Sequence, residues 1–330
     1  MLKKYVLLWI FVIFFPYICC VIAHLVNPKV TIGQGGYMIE NHRMGKDIML
    51  EINGIYKSID VEEYVAGVMP GVISADYNME ALKTQAVLIR TNILKEMEEN
   101  NTKDAADISY KYYTKEERRE LWGRANIDKY ERKIEKAVSS TAGKVIRKES
   151  SLIMALYHEV SIGKTADAAE VLDEDISYLK SVDSSRDVEA KNYMNIYTYT
   201  WDELSNMLVT GSTEEKNQAE ESNTESPDNL TVDKIDITIE ESTENGFVKK
   251  VSVDGTVYTG SEAAEIFKLP SINYYVENLE DGVRFVCLGK GNCLGVSQYG
   301  ANCMAANGKT MEDIISYYYK DVSIEEAFSN

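Results

Sequence analysis

The chain has 330 residues, 45% of them hydrophobic, and a formal net charge of -18, which is long enough for one large or two ordinary domains with a sizeable core. Half of that charge falls between Gly211 and Asn245, where eleven Asp and Glu residues face only Lys216 and Lys234. Such a balance excludes nucleic acid as a partner and disfavours anionic lipid or teichoic acid, because phosphate binding needs clustered Lys and Arg.

Lys3 and Lys4 precede an uncharged run from Tyr5 to Ala23 that continues through His24 to Val26. About twenty helical residues cover the roughly 30 Å hydrocarbon core. Residues 1–26 are therefore expected to be an uncleaved signal-anchor helix. The basic flank keeps the N-terminus cytoplasmic and places the body outside the cell. A cleaved signal peptide is the rival reading, with Val21-Ile22-Ala23 as the cleavage site, but the run is long against an h-region of roughly 7–15 residues. Cys19 and Cys20 fall inside the anchor. Of Cys287, Cys293 and Cys303, two are free to pair in an exported protein, with Cys293 and Cys303 as one option, or all three are small buried apolar residues.

Residues 27–46 read as a juxtamembrane linker loosened by Gly33, Gly35 and Gly36. Ile48, Leu50 and Ile52 then alternate up to Asn53-Gly54, a hairpin signal. Met79, Leu82, Ala86, Ile89 and Ile93 form one helical face, with Asn78 placed to cap it. Lys129 to Ser139 is a further helix. Val145-Ile146 and Leu152 to His158 read as a second hairpin, and Trp201 to Leu208 as a short helix. Residues 211–229 are polar and acidic, and read as a disordered insertion within one domain. Strands resume around Ile235, Ile237 and Ile239, with turns at Asn245-Gly246 and Asp254-Gly255.

The run Gly289-Lys290-Gly291-Asn292-Cys293-Leu294-Gly295-Val296-Ser297-Gln298-Tyr299-Gly300 is rich in glycine and leads into a helix that Ser297 can cap, running to about Ala306 and stopped by Gly308. Its spacing fits neither a P-loop nor a dinucleotide fingerprint.

Four blocks in a fixed order make the pattern specific. VEEYVAGV and MEALKTQAVLIRT (from Val61 and Met79) come first, then KAVSSTAGKVI with ALYHEVSIGKTADA, then YLKSVDS, then GKGNCLGVSQYGANCMAANGKTMEDIISYYY. They resemble the stage II sporulation protein D and amidase-enhancer LytB family over Asp47 to Val322. That resemblance implies an α+β fold with a curled antiparallel sheet and helices in residues 47–322, followed by a short tail, 323–330. It also implies a lytic transglycosylase acting on denuded peptidoglycan glycan strands. One glutamic acid protonates the leaving oxygen, and the muramyl 6-hydroxyl closes an anhydro ring.

At the position of that glutamate this chain carries Val72, which has no proton to give. Loss of a positioned general acid costs about 10²–10⁴ in rate. Asp76 and Glu159 are the candidate substitutes, whereas Glu80 reads as a structural residue at a helix start. The family's histidine in its GHGVG segment is Asn292 here, its following glycine is Cys293, and Ile162 and Lys164 alter the turn after His158. Some family members hold zinc in that turn. With His158 alone remaining there, neither metal nor cofactor is expected.

His158, Thr165, Asn292, Ser297, Gln298 and Tyr299 are the candidates to line a glycan groove, while Gln85 and Arg90 are expected to tie helices together. The resulting expectation is a membrane-anchored pseudoenzyme that binds glycan strands, with a cell-wall amidase or other sporulation-complex membrane proteins as partners. Its alternatives are an active transglycosylase using a displaced carboxylate and a structural envelope protein.

Overall fold

A computed structural model describes residues 44–172, 174–214 and 234–327. The N-terminal segment expected to anchor the chain, most of the linker after it and nearly all of the acidic stretch 211–229 lie outside the described residues. Among the described residues no helix is long and apolar enough to cross a membrane.

The first hairpin pairs β1 (Asp47–Ile52) with β2 (Ile55–Asp60), and both Asn53 and Gly54 take positive φ, as a two-residue turn requires. Asp60 ends β2 and caps α1 (Val61–Val72), its carboxylate accepting from the Glu62 amide. Asn78 stands at the N-cap of α2 (Met79–Glu99) but makes no capping bond. Its backbone and side-chain N–H groups both donate to Asn302 instead. Thr114 and Glu117 form a capping box that starts α3 (Lys115–Trp122). α4 (Ile127–Ser139) begins two residues before the expected Lys129.

β3 (Lys144–Lys148) pairs with β4 (Ser151–Leu152), and the strand expected to run on to His158 stops there. Side chains from elsewhere take its backbone N–H groups: the Tyr178 hydroxyl accepts from Met154, and Asn92 Oδ1 accepts from Ala155. The chain then re-forms a strand as β5 (Tyr157–His158). After α5 (Ala168–Val171) come β6 (Met194–Thr200) and α6 (Trp201–Glu214), a helix that outlasts the expected end at Leu208.

β7 (Ile237–Ser242), β8 (Val248–Val253) and β9 (Thr256–Thr259) form a meander, and α7 (Gly260–Ile266) packs on it. β10 (Tyr274–Asn278) and β11 (Gly282–Leu288) add to β6. β12 (Val296–Ser297) leads into α8 (Gln298–Ala306), which Ser297 caps. α9 (Met311–Tyr318) and β13 (Ser323–Glu326) follow, and β13 gives the expected tail a pairing with β3.

The class is α+β, but the expected single curled sheet is corrected: the described strands form five small sheets of two or three strands each. Most pairings join neighbours across tight turns. Helices separate one group of strands from the next, so no ladder propagates. The one parallel pair, β5 with β12, is two residues long.

Among the described residues, two of the apolar clusters lie among α2 and the strands and helices that follow it. One gathers Val87 and Leu88 of α2 with Ile146, Leu294, Ile314 and Ile315. The other gathers Phe267, Tyr274 and Phe285 with Ile237 and Val251, and Ile272 packs against both. Between α1 and α2 the Arg90 guanidinium bonds both Glu62 oxygens, at 2.8 and 2.5 Å, with both side chains fully buried. Gly143 N–H donates to the same carboxylate. The three described cysteines are free, with Cys287 and Cys293 buried and Cys303 partly so.

Candidate functional site

α1 ends at Val72, and its last turn together with the loop to α2 forms one side of a cavity of about 460 Å³. Val72, Asp76 and Tyr77 line that side, and Trp122, Tyr130, Glu159 and Gln298 are also in the lining.

The aromatic wall owes its position to two glycines. Gly67 and Gly71 lie one helical turn apart on α1, and the rings of Tyr112 and Tyr113 occupy the space a Cβ would take, 2.0 and 2.1 Å from the ideal position. This close approach lets the segment before α3 cross the helix, with Tyr113 N–H donating to the Gly67 carbonyl at 2.9 Å. Arg118, buried, then donates to the Tyr113 carbonyl at 2.6 Å and to Glu131 at 3.1 Å, tying α3 to α4. Trp122 closes α3 and Tyr130 lies on α4. Their rings meet edge to face, with centroids 5.5 Å apart. The Tyr130 hydroxyl donates to Asp76 Oδ1 at 2.8 Å, so the wall also holds the loop.

The β5–β12 pair sets the other side. Val296 pairs with Tyr157 and Ser297 with His158, and the residue that follows each strand, Gln298 and Glu159, lines the cavity. Gln298 Nε2 donates to the Val72 carbonyl at 2.9 Å and to Gln85 Oε1 at 3.1 Å. Both Glu159 oxygens are engaged: Oε1 accepts from Asn192, and Oε2 pairs with Lys290 at 2.5 Å. The pairing depends on Gly295, whose φ is 66° and whose Cβ would lie 1.9 Å from the Leu156 carbonyl oxygen.

Comparison with known proteins assigns the family. The family model described as "Stage II sporulation protein" matches residues 52–147, from the end of β1 through β3. The chain is similar to Stage II sporulation protein D of Bacillus subtilis (strain 168), 31% identical over 286 residues that cover 83% of this chain and 77% of the relative. The chain belongs to the stage II sporulation protein D family. The protein of the same name from Bacillus amyloliquefaciens is 28% identical, covering 84% of this chain and 77% of its own length. The Amidase enhancer of Bacillus subtilis (strain 168) is 24% identical over 78% of this chain and 40% of its length.

In this member of the sporulation protein D family the sequence candidates divide into three groups, at the cavity, in the interior, and at the surface beside them. Val72, Asp76, Glu159 and Gln298 come together on the cavity wall. His158, Thr165 and Ser297 lie in the interior and bond the frame. His158 is 3% exposed, its Nδ1 is 3.0 Å from the Leu294 carbonyl, and its Nε2 has no hydrogen-bond partner. Burial pulls its pKa down to about 4, with the Leu294 carbonyl and the Asp187 carboxylate opposing, so the ring is neutral at pH 7. Thr165 Oγ1 accepts from the Val182 amide. Ser297 Oγ donates to the buried Asp187 and accepts from Gly300 N–H.

Asn292 is exposed, and its side-chain oxygen accepts from the Leu294 amide two residues on. Tyr299 is half-buried, and its backbone N–H donates to the Glu159 carbonyl. Glu80 has the structural place expected of it: Oε1 pairs with Lys83 and Oε2 accepts from Met311 N–H at the start of α9. The residues do not fit a zinc ion. No group of three His, Cys, Asp or Glu among the described residues is placed to hold a metal.

Trp122, Tyr130, Asn192 and Lys290 are site residues that the motifs did not single out. The local signal for Trp122 was the capped helix ending in Trp-Gly. Nothing local announced that this helix would lie against α1.

Proposed function

We propose that this protein is a non-catalytic member of its family that binds peptidoglycan glycan strands in the cavity beside Val72 and modulates a cell-wall amidase during sporulation or envelope remodelling. The N-terminal apolar segment anchors it in the cell membrane with the body outside. A relative named Amidase enhancer supports the partner class. The observation that carries the reading is Val72 on the cavity wall, taken with the sequence resemblance that assigns the family's acid to this position. An isopropyl side chain can neither protonate a leaving oxygen nor deprotonate a sugar hydroxyl. The cavity retains polar groups and aromatic rings suited to a sugar, so binding is separable from cleavage.

The test is incubation of the protein with denuded glycan strands, followed by mass spectrometry for anhydro-muramyl ends. None are expected from the native chain, while cosedimentation with the strands is retained. Val72→Glu is expected to gain measurable cleavage. A second reading, cleavage by a displaced carboxylate, draws support from Glu159 on the same wall. Against it, both Glu159 oxygens are taken by Lys290 and Asn192. Native turnover that vanishes in Glu159→Gln would replace the first reading with this one.

A further inference from the structure

We propose that Trp122 is the stacking surface for a pyranose ring in this cavity, and that Tyr130 positions both the indole and Asp76, the acceptor for that ring's hydroxyls. The proposal rests on the glycan-binding reading and specifies which side chains hold a sugar ring there.

The two aromatic residues have different surroundings. Lys129 Nζ lies 4.9 Å from the centroid of the Tyr130 ring, so one phenol face already carries a cation. The edge of one ring meets the face of the other at 72°, which fixes the indole plane. Trp122 is half-buried and lines the cavity, so its indole is an aromatic surface offered to a ligand, wider than the phenol of Tyr77 on the same lining.

A pyranose has an apolar C–H face and a rim of hydroxyls. It therefore needs a flat apolar surface with acceptors beside it. Asp76 supplies the acceptor. Its Oδ1 is held by the Tyr130 hydroxyl, its side chain is 67% exposed, and among the described residues its Oδ2 accepts no hydrogen bond. Two carboxylates, Asp76 and Glu159, stand on the cavity wall. Each faces a lysine, Asp76 Oδ1 3.7 Å from Lys129 Nζ and Glu159 Oε2 2.5 Å from Lys290 Nζ, so the indole face and its neighbouring acceptor, not net charge, select the ring.

The full chain, purified in detergent, is titrated with chitotetraose, an uncharged oligomer of N-acetylglucosamine, and with denuded glycan strands. Binding and tryptophan fluorescence are both followed. Chitotetraose is expected to quench native fluorescence. Trp122→Ala is expected to weaken binding about tenfold, the loss of roughly one aromatic contact. Trp122→Phe keeps most of the affinity but loses the quench, and Tyr130→Phe, which removes only the hydroxyl that holds Asp76, weakens binding by about threefold.

If the native chain binds and Trp122→Ala binds equally well, or if the quench persists in Trp122→Phe, the stacking assignment falls while the glycan reading stands. Native affinity in Tyr130→Phe overturns the positioning role. A native chain that binds neither ligand overturns the glycan reading together with the assignment. Should Trp122→Ala fail to fold, the two conservative variants decide the question.

Discussion

His158 has Nδ1 against the Leu294 carbonyl and Nε2 without a partner, and burial draws its pKa from 6.5 to about 4. The unfolded chain takes up a proton near pH 6.5 that the folded chain refuses until about pH 4. Its contribution to stability is therefore complete above pH 6.5 and lost as the pH falls from there to about 4. The loss is on the order of 3 kcal/mol. His158→Gln is expected to be less stable at pH 7 but to show a flatter pH dependence over this window, measured as urea midpoints at pH 7 and pH 4.5. An unchanged slope would show that the imidazole takes up its proton in the folded state. A second residue-scale expectation concerns Arg90, whose fully buried guanidinium bonds both oxygens of Glu62. Arg90→Met leaves that carboxylate without its counter-charge, and the expected loss in denaturant unfolding is about 3–5 kcal/mol.

At the scale of elements, α1 is the organising piece, because two sides of the cavity are assembled on it. Its glycine face receives Tyr112 and Tyr113, and its C-terminal turn receives Gln298. Gly67→Ala would place a methyl inside the Tyr112 ring, where both residues are buried. The expected cost is about 1–3 kcal/mol, the usual range for overpacking. Tyr112→Ala in the same chain is expected to recover part of it, since the two changes share one contact. Thermal melts of the two single variants and the double variant measure the coupling. Simple additivity would mean that the ring already has somewhere else to go.

Local signals explain why some elements could be read in advance. The Asn53-Gly54 turn and the Ser297-capped helix stopped near Gly308 depend on a few adjacent residues. The two-residue strands β5 and β12 depend on a pairing between positions 157 and 296, and the Trp122 wall on a helix crossing. Neither leaves a periodicity in the chain. The motif residues accordingly divided in an unforeseen way, with Glu159 and Gln298 at the cavity and Ser297 and His158 behind it.

At the scale of the whole molecule, a net charge of -18, half of it between Gly211 and Asn245, and a sequence pI near 4.7 leave an excess of carboxylates at neutral pH that repel one another. The surface pairs, such as Lys180 with Asp175 and Arg284 with Glu277, are solvent-exposed and individually weak. Salt screens repulsion among the excess carboxylates as well as these pairs, and the excess is the larger quantity. Raising sodium chloride from about 20 to about 200 mM, which shortens the screening length severalfold, is therefore expected to raise the melting temperature. Scanning calorimetry checks the sign, and a fall would show that the attractive pairs dominate.

Gln298 grips residue 72 by its carbonyl, not by its side chain. The end of α1 is thus secured by an atom every amino acid possesses. Whatever side chain position 72 carries, the main chain there stays in register with Gln85 and the strand pair beyond it. Chemistry at this point is modular: a carboxylate could be exchanged for an isopropyl group, or restored, without dismantling the receptacle around it. Under the proposed function, cleavage is given up by one substitution while the surface that binds glycan is inherited intact.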